Sequence, residues 1–312
     1  RVREMEESGL IMLSAIFFFM SFGIKAAVFP LFSWLPASYH TPPVAVSALV
    51  AALLTKVGVY TCIRFFTLIL VQNTEFTHTL LMIAAGFTMV TGVFGAMAQN
   101  EIRKLLSFHI ISQIGYMIMG LAIFTPLAIA GAVFFIIHNI VVKTNLFLIS
   151  GIVKVTNGHF LLKKLGGVYD RYPLIALLFA ISAFSLAGIP PLTGFWGKFV
   201  LAKAGLEAGE AVIVVVSLAV GVLTLFSMVK IWMQVFWARD PDEAEIKEGK
   251  ISRRMSQGEL FKTQFLLVFP SVMLAVLALF LGLYPDFLIS VSMDIANDLL
   301  NPGTYINAVL KK

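Results

Sequence analysis

Four lysines, Lys25, Lys56, Lys143 and Lys198, lie well inside stretches of apolar residues, whereas all 17 acidic residues fall in loops or at the ends of those stretches. A lysine at the centre of a bilayer costs at least about 2.5–3.5 kcal/mol on insertion scales, so one retained there points to function unless it can snorkel to the interface. Lys154, Lys230 and Arg64 sit near stretch ends, where snorkelling accounts for them. A desolvated ammonium gives up its proton readily and a neighbouring charge tunes how readily, whereas a guanidinium stays protonated. Apart from Arg64, the cations away from the loops are lysines. A purely structural ionic contact could use arginine equally well, so this bias favours proton handling over scaffolding.

Two further polar sets accompany the lysines. His109, Ser112, Gln113 and Tyr116 fall at i, i+3, i+4 and i+7 and share one helical stripe. Asn139 and Lys143 are one turn apart, with His138 beside them and Thr144 and Asn145 following. Such stripes either order water along a path or hydrogen-bond between helices, and both readings stand for each residue. His40, His78 and His159 fall in loops or at span ends and read as solvated. The histidines show no paired ligand spacing, and Cys62, alone inside an apolar run, makes neither a disulfide nor a cysteine-ligated metal centre. With no glycine-rich nucleotide loop, haem or iron–sulfur motif and no nucleophile triad, neither a metal nor a cofactor is expected.

The elements that must position these residues follow from composition. The chain has 312 residues, 59% hydrophobic and 13% charged, with mean hydropathy +0.92; soluble proteins average about 45–50% apolar and about 25% charged. At roughly 20 apolar residues per crossing, eight spans are expected, over 8–30, 43–70, 76–99, 102–124, 127–153, 172–205, 209–237 and 262–284. All read as helices, because an open strand edge cannot be satisfied in lipid and no segment alternates like a barrel strand. The fold class is therefore an all-α polytopic membrane protein, which excludes a cytoplasmic enzyme. Two spans are discontinuous: the first runs into Pro30 and then Trp34-Leu35-Pro36, and the sixth carries Pro190, Pro191 and Gly194 within Gly188–Gly194. Half-helix ends inside a membrane expose unpaired backbone groups and partial charges, and paired breaks point to an ion path.

If the spans alternate sides, loops 100–104, 153–172 and 238–262 share a face with twelve Lys or Arg against five on the other. That face is expected to be cytoplasmic, with both ends of the chain outside. The net charge of +6 then reflects basic loops and not a nucleic-acid surface. Residues 238–262 read as a solvated connector, and 286–300 as an interfacial helix with Leu288, Val291, Ile295 and Leu299 on its apolar face. A weak repeat pairs each broken span with the span after it, with Lys25 to Lys56 and Lys198 to Lys230 separated by 31 and 32 residues. One transmembrane domain is expected, in which 1–75 closes a first repeat, 76–240 forms a second of five helices, 241–261 is a cytoplasmic loop, 262–284 the last span and 285–312 interfacial. By that symmetry three helices should precede the first span, and the chain begins without an initiator methionine. Its start is expected to be missing.

Several stretches carry a resemblance: Gly23-Ile24-Lys25 to Trp34-Leu35-Pro36; Pro42-Pro43 to Thr55-Lys56-Val57-Gly58; Ser112-Gln113-Ile114-Gly115-Tyr116; and Gly188-Ile189-Pro190-Pro191 to Gly194-Phe195-Trp196-Gly197-Lys198. In these the chain resembles the antiporter-like membrane subunits shared by respiratory complex I, membrane-bound hydrogenases and Mrp cation/proton antiporters. Residues 140–148 and the lysine after Gly194-Phe195-Trp196-Gly197 are most similar to the D-type subunit of the Mrp branch. The resemblance implies fourteen helices in two inverted five-helix repeats, of which this sequence holds the last eight. It implies that Lys25 stands at the first broken helix beside a glutamate from a helix not in this sequence. Lys56 would be a bridging lysine, Lys143 a lysine of the eleventh helix, and Lys198 a terminal titrating group that some relatives replace by glutamate. Relatives often carry histidine one turn before Lys143, where this chain has Asn139, which leaves the role of His138 open. The function implied is a proton-translocating subunit of a multisubunit sodium/proton antiporter in a cell membrane, a transporter and not an enzyme. Its partners would be other membrane subunits, protons and lipid, with no nucleic acid and with the entry of sodium into this chain left open. The alternatives are the homologous pump subunit of an NADH:quinone oxidoreductase and a scaffold that conducts nothing.

Overall fold

A computed structural model describes residues 8–71, 74–241 and 255–310. Among the described residues the chain is a bundle of helices: α1 (Ser8–Ala26), α2 (Trp34–Tyr39), α3 (Val44–Leu68), α4 (Thr74–Ala98), α5 (Ile102–Ile123), α6 (Pro126–Asn157), α7 (Val168–Arg171), α8 (Pro173–Ala187), α9 (Thr193–Glu207), α10 (Ala211–Ile231), α11 (Gln257–Thr263), α12 (Phe265–Leu283), α13 (Pro285–Leu300) and α14 (Gly303–Leu310). Seven are long and apolar enough to cross a membrane. The sixth expected span is the exception because it is divided into α8 and α9, too short singly to meet that length.

Local chemistry sets the helix ends. α6 starts with Pro126 in its first turn and Thr125 accepting a hydrogen bond from the Ala128 N–H at 3.2 Å, an N-cap that satisfies one orphan donor. α11 opens on a full capping box between Ser256 and Glu259. Most of the expected connector 238–262, over 242–254, lies outside the described residues. α10 continues through a π-helical segment, Trp232–Trp237, that periodicity did not signal.

The core is built around α5 and α6. Nearly every residue of α5 is buried, on all faces, as expected of a helix that is apolar all round and surrounded by neighbours. It lies chiefly between α4 and α6, and α6 packs against α3, α8, α9, α12 and α13 as well. The outward faces carry large apolar side chains, among them Phe17, Leu49, Val222 and Leu266, the surface a lipid-facing bundle presents.

The apolar face of the 286–300 helix is rotated from the one expected. Leu288, Ser292, Ala296 and Leu299 are buried, whereas Val291 and Ile295 are 36% and 38% exposed. The helix packs along α6 and also touches α3, so small residues that admit close helix approach face inward and two large apolar ones do not. Among the polar connections, Arg171 of α7 pairs with the buried carboxylate of Asp240.

Candidate functional site

Lys56, Lys143 and Lys198 come together from α3, α6 and α9. Lys143 is completely buried and lies within electrostatic range of both Lys56 and Lys198. Lys56 is buried and donates to the carbonyl of Ala51 in its own helix at 2.7 Å. Among the described residues no ion pair reaches any of the three. The Lys143 Nζ has no hydrogen-bond partner among them.

Lys198 is held by the broken helix. A helix leaves its last four carbonyls without intrahelical partners, and in α8 these belong to Phe184, Ser185, Leu186 and Ala187. Gly188, with φ +92°, takes the left-handed conformation that ends helices. Its N–H reaches the carbonyls of Phe184 and Ser185, and the Ile189 N–H also reaches Phe184. The remaining two carbonyls, of Leu186 and Ala187, accept from the Lys198 Nζ at 3.1 and 2.8 Å. The ammonium thus sits at the negative end of a half-helix. It also lies 5.1 Å from the centre of the Tyr116 ring and lines a cavity of about 320 Å³ with Tyr116, Gly188 and Ser217.

The first break differs. α1 stops at Ala26, before Pro30, and the chain resumes as α2 at Trp34. The Trp34 indole N–H donates to the Ile24 carbonyl at 2.8 Å, and the Phe29 N–H to Thr88 of α4 at 2.9 Å. Lys25, expected beside a glutamate from a helix not in this sequence, is exposed on this chain. At the α1–α3 contact the backbones approach closely: a Cβ on Gly58 of α3 would stand 2.6 Å from the Ala26 nitrogen and 2.9 Å from the Lys25 carbonyl carbon. Backbone therefore fills the α1–α3 contact beside Lys25.

The α5 stripe divides. His109 meets the Ser227 hydroxyl of α10 at 2.6 Å, and the Tyr116 hydroxyl donates to the Ser217 carbonyl at 2.5 Å. Ser112 lies instead against Gly92 of α4, and Gln113 is buried with both amide atoms unpartnered. On α6, the Asn139 amide donates to the Phe135 carbonyl while its oxygen has no partner. His138 bonds through Nδ1 to Thr193 at 2.8 Å, and its Nε2 has none. Unpartnered buried groups on Lys143, Gln113, Asn139, His138, His109, Ser112 and Thr55 are the environment in which bound water is ordinarily found.

Other polar residues turn out to hold helices together. Lys230, expected to snorkel, donates to the Met97 and Gln99 carbonyls at 3.0 and 2.8 Å and to the Asn100 side chain at 3.4 Å, closing the end of α4. His78, expected to be solvated, packs its ring 4.5 Å from that of Phe124. Asn145 joins Ser182 of α8 at 2.8 Å and Ser271 of α12 at 2.5 Å. The α10 partners had a signal that went unused: Ser217, Thr224 and Ser227 share one face of an otherwise apolar helix, and all three are buried.

Residues 2–224 match the family described as NADH:quinone oxidoreductase/Mrp antiporter, TM. The chain belongs to this family. Over all 312 residues it is 44% identical to the D-type Na(+)/H(+) antiporter subunit of Alkalihalophilus pseudofirmus and 38% identical to that of Bacillus subtilis. It spans 61% of the length of each of these relatives. Among solved structures, a chain of the Mrp complex from Dietzia sp. superposes with a TM-score of 0.87 at 32% identity, over 97% of this chain and 62% of that one. A chain of respiratory complex I from Thermus thermophilus superposes with a TM-score of 0.77 at 22% identity, over 95% of this chain and 60% of its own, a likeness of fold.

Proposed function

We propose that this chain is part of a proton-translocating membrane subunit of a multisubunit sodium/proton antiporter, and that protons move among Lys25, Lys56, Lys143 and Lys198 by way of water, His109 and His138. One observation carries the reading: Lys143 is completely buried, its Nζ has no hydrogen-bond partner among the described residues, and it lies within electrostatic range of two other lysines. An ammonium that makes no hydrogen bond among the described residues yet costs about 2.5–3.5 kcal/mol to insert is accounted for by what it does and not by what it holds. A proton arriving on one lysine lowers its neighbour's affinity for another, which passes charge onward. Ser112, Gln113, Tyr116 and Asn139 would order the intervening water. Pro30, Pro190, Pro191 and Gly194 interrupt the helices whose ends border the path. The 44% identity to a named antiporter subunit favours this over the quinone-reducing relatives, which share the fold at lower identity. The partners are then other membrane subunits in a prokaryotic plasma membrane, the basic loops facing the cytoplasm and the broken spans standing as corresponding members of two repeats.

The test is Lys143→Met in the gene as it stands in its host, with sodium-driven proton movement followed in everted vesicles by a pH-sensitive dye. Because the Lys143 ammonium makes no hydrogen bond among the described residues and methionine has a similar length, the variant should assemble in wild-type amount while transport is abolished. Wild-type transport by Lys143→Met would remove Lys143 from the path.

A further inference from the structure

A second polar chain crosses the break between α8 and α9, and the lysine path uses only its first member, His138. The Nδ1 of His138 lies 2.8 Å from the Thr193 hydroxyl. That hydroxyl lies 2.8 Å from the Ser185 hydroxyl, which also accepts the Gly194 N–H at 3.4 Å. His138, Thr193 and Ser185 are all buried. Ser185 belongs to the last turn of α8 and Thr193 is the first residue of α9, so this chain and the Lys198 ammonium bind the same half-helix end, one on each side of the break.

A hydroxyl has one hydrogen and two lone pairs, and an imidazole nitrogen either donates or accepts. The chain therefore has two complete arrangements. When Nδ1 is bare, Ser185 donates to Thr193 and Thr193 donates to His138. When Nδ1 carries a proton, His138 donates to Thr193, Thr193 to Ser185, and the Ser185 oxygen receives both Thr193 and the Gly194 N–H. Beyond the proton gained or lost at His138 Nδ1, only the rotation of two hydroxyl hydrogens separates the two. In the second arrangement the Ser185 hydrogen is released from Thr193 at the turn whose next two carbonyls hold Lys198.

We propose that Thr193 and Ser185 are positioning residues that transmit the protonation state of His138 to the α8–α9 junction and so to the grip on Lys198. This rests on the proton-path reading above. It adds two residues that no charge or aromatic motif marks, and a role for His138 that spacing left open.

The experiment compares Thr193→Val, which keeps the shape and removes the hydroxyl, with Thr193→Ser, which restores it, each in the host gene and alone or with His138→Gln. Lys198→Met is the control. Sodium-driven proton flux per assembled complex should fall at least about tenfold in Thr193→Val, less than the roughly hundredfold or more that a group transferring the proton itself contributes, and return in Thr193→Ser. In the His138→Gln background Thr193→Val should add no further loss, because the signal it relays is gone. Independent, multiplying losses from the two substitutions, or wild-type flux in Thr193→Val while Lys198→Met is inactive, would overturn the relay and leave the proton path standing. Wild-type flux in both Thr193→Val and Lys198→Met would overturn the path itself. Should Thr193→Val fail to assemble, Ser185→Ala takes its place in the same comparison, with the same outcomes.

Discussion

Lys198 both closes a helix end and occupies a proposed proton site, and two substitutions separate these roles. Lys198→Met removes the donor from the Leu186 and Ala187 carbonyls. A buried acceptor left without a partner costs about 1–3 kcal/mol. The cavity of about 320 Å³ beside Lys198 is lined by Ala187, so water there can serve one of the two carbonyls, which puts their combined loss at about 1–3 kcal/mol. Against this, removing an ammonium from the bundle relieves about 2.5–3.5 kcal/mol of insertion cost. The opposing effects nearly offset, so Lys198→Met should assemble and should melt close to the wild type in detergent. Lys198→Arg keeps the charge and the donors but cannot release a proton. Sodium-driven proton flux in everted vesicles should be lost in both, with assembly measured on the same membranes. Wild-type flux in Lys198→Arg would make the residue an electrostatic cap and not a carrier; a collapse of assembly in Lys198→Met would refute the energetic reasoning.

Two structural predictions accompany it. Lys230→Met deprives the end of α4 of its donor, so the complex should lose about 1–3 kcal/mol and melt at lower temperature, while flux per assembled complex stays at the wild-type level. Asn145→Leu should cost about 2 kcal/mol by stranding the buried hydroxyls of Ser182 and Ser271, whereas the triple replacement Asn145→Leu, Ser182→Ala, Ser271→Ala should recover most of that loss because no polar group is left unpaired. A triple variant that melts no higher than Asn145→Leu alone would show that this cluster does not hold α6, α8 and α12 together.

The sequence by itself determined what depends on residues close together along the chain. Long apolar runs in a chain with few charges must become helices, since only internal hydrogen bonding satisfies a backbone in lipid. Proline and glycine placed the two interruptions to within a few residues. The insertion cost marked Lys56, Lys143 and Lys198 as exceptional before any neighbour was known. Tertiary structure decided whatever depends on which helix stands opposite. Lys25 and Lys56 look alike in sequence, yet Lys56 is buried among the helices of this chain and Lys25 is exposed on it. Lys198 and Lys230 both proved to be caps, Lys198 of the half-helix end 11 residues before it and Lys230 of a helix end 131 residues away. The inward face of α13 follows from packing along α6, which favours Ser292 and Ala296 over Val291 and Ile295. Ser185, Thr193 and Ser271 carry no charge and little cost as isolated residues, so nothing local sets them apart. Their meaning lies in hydrogen bonds of fixed length and direction between helices, which exist only once the bundle has closed.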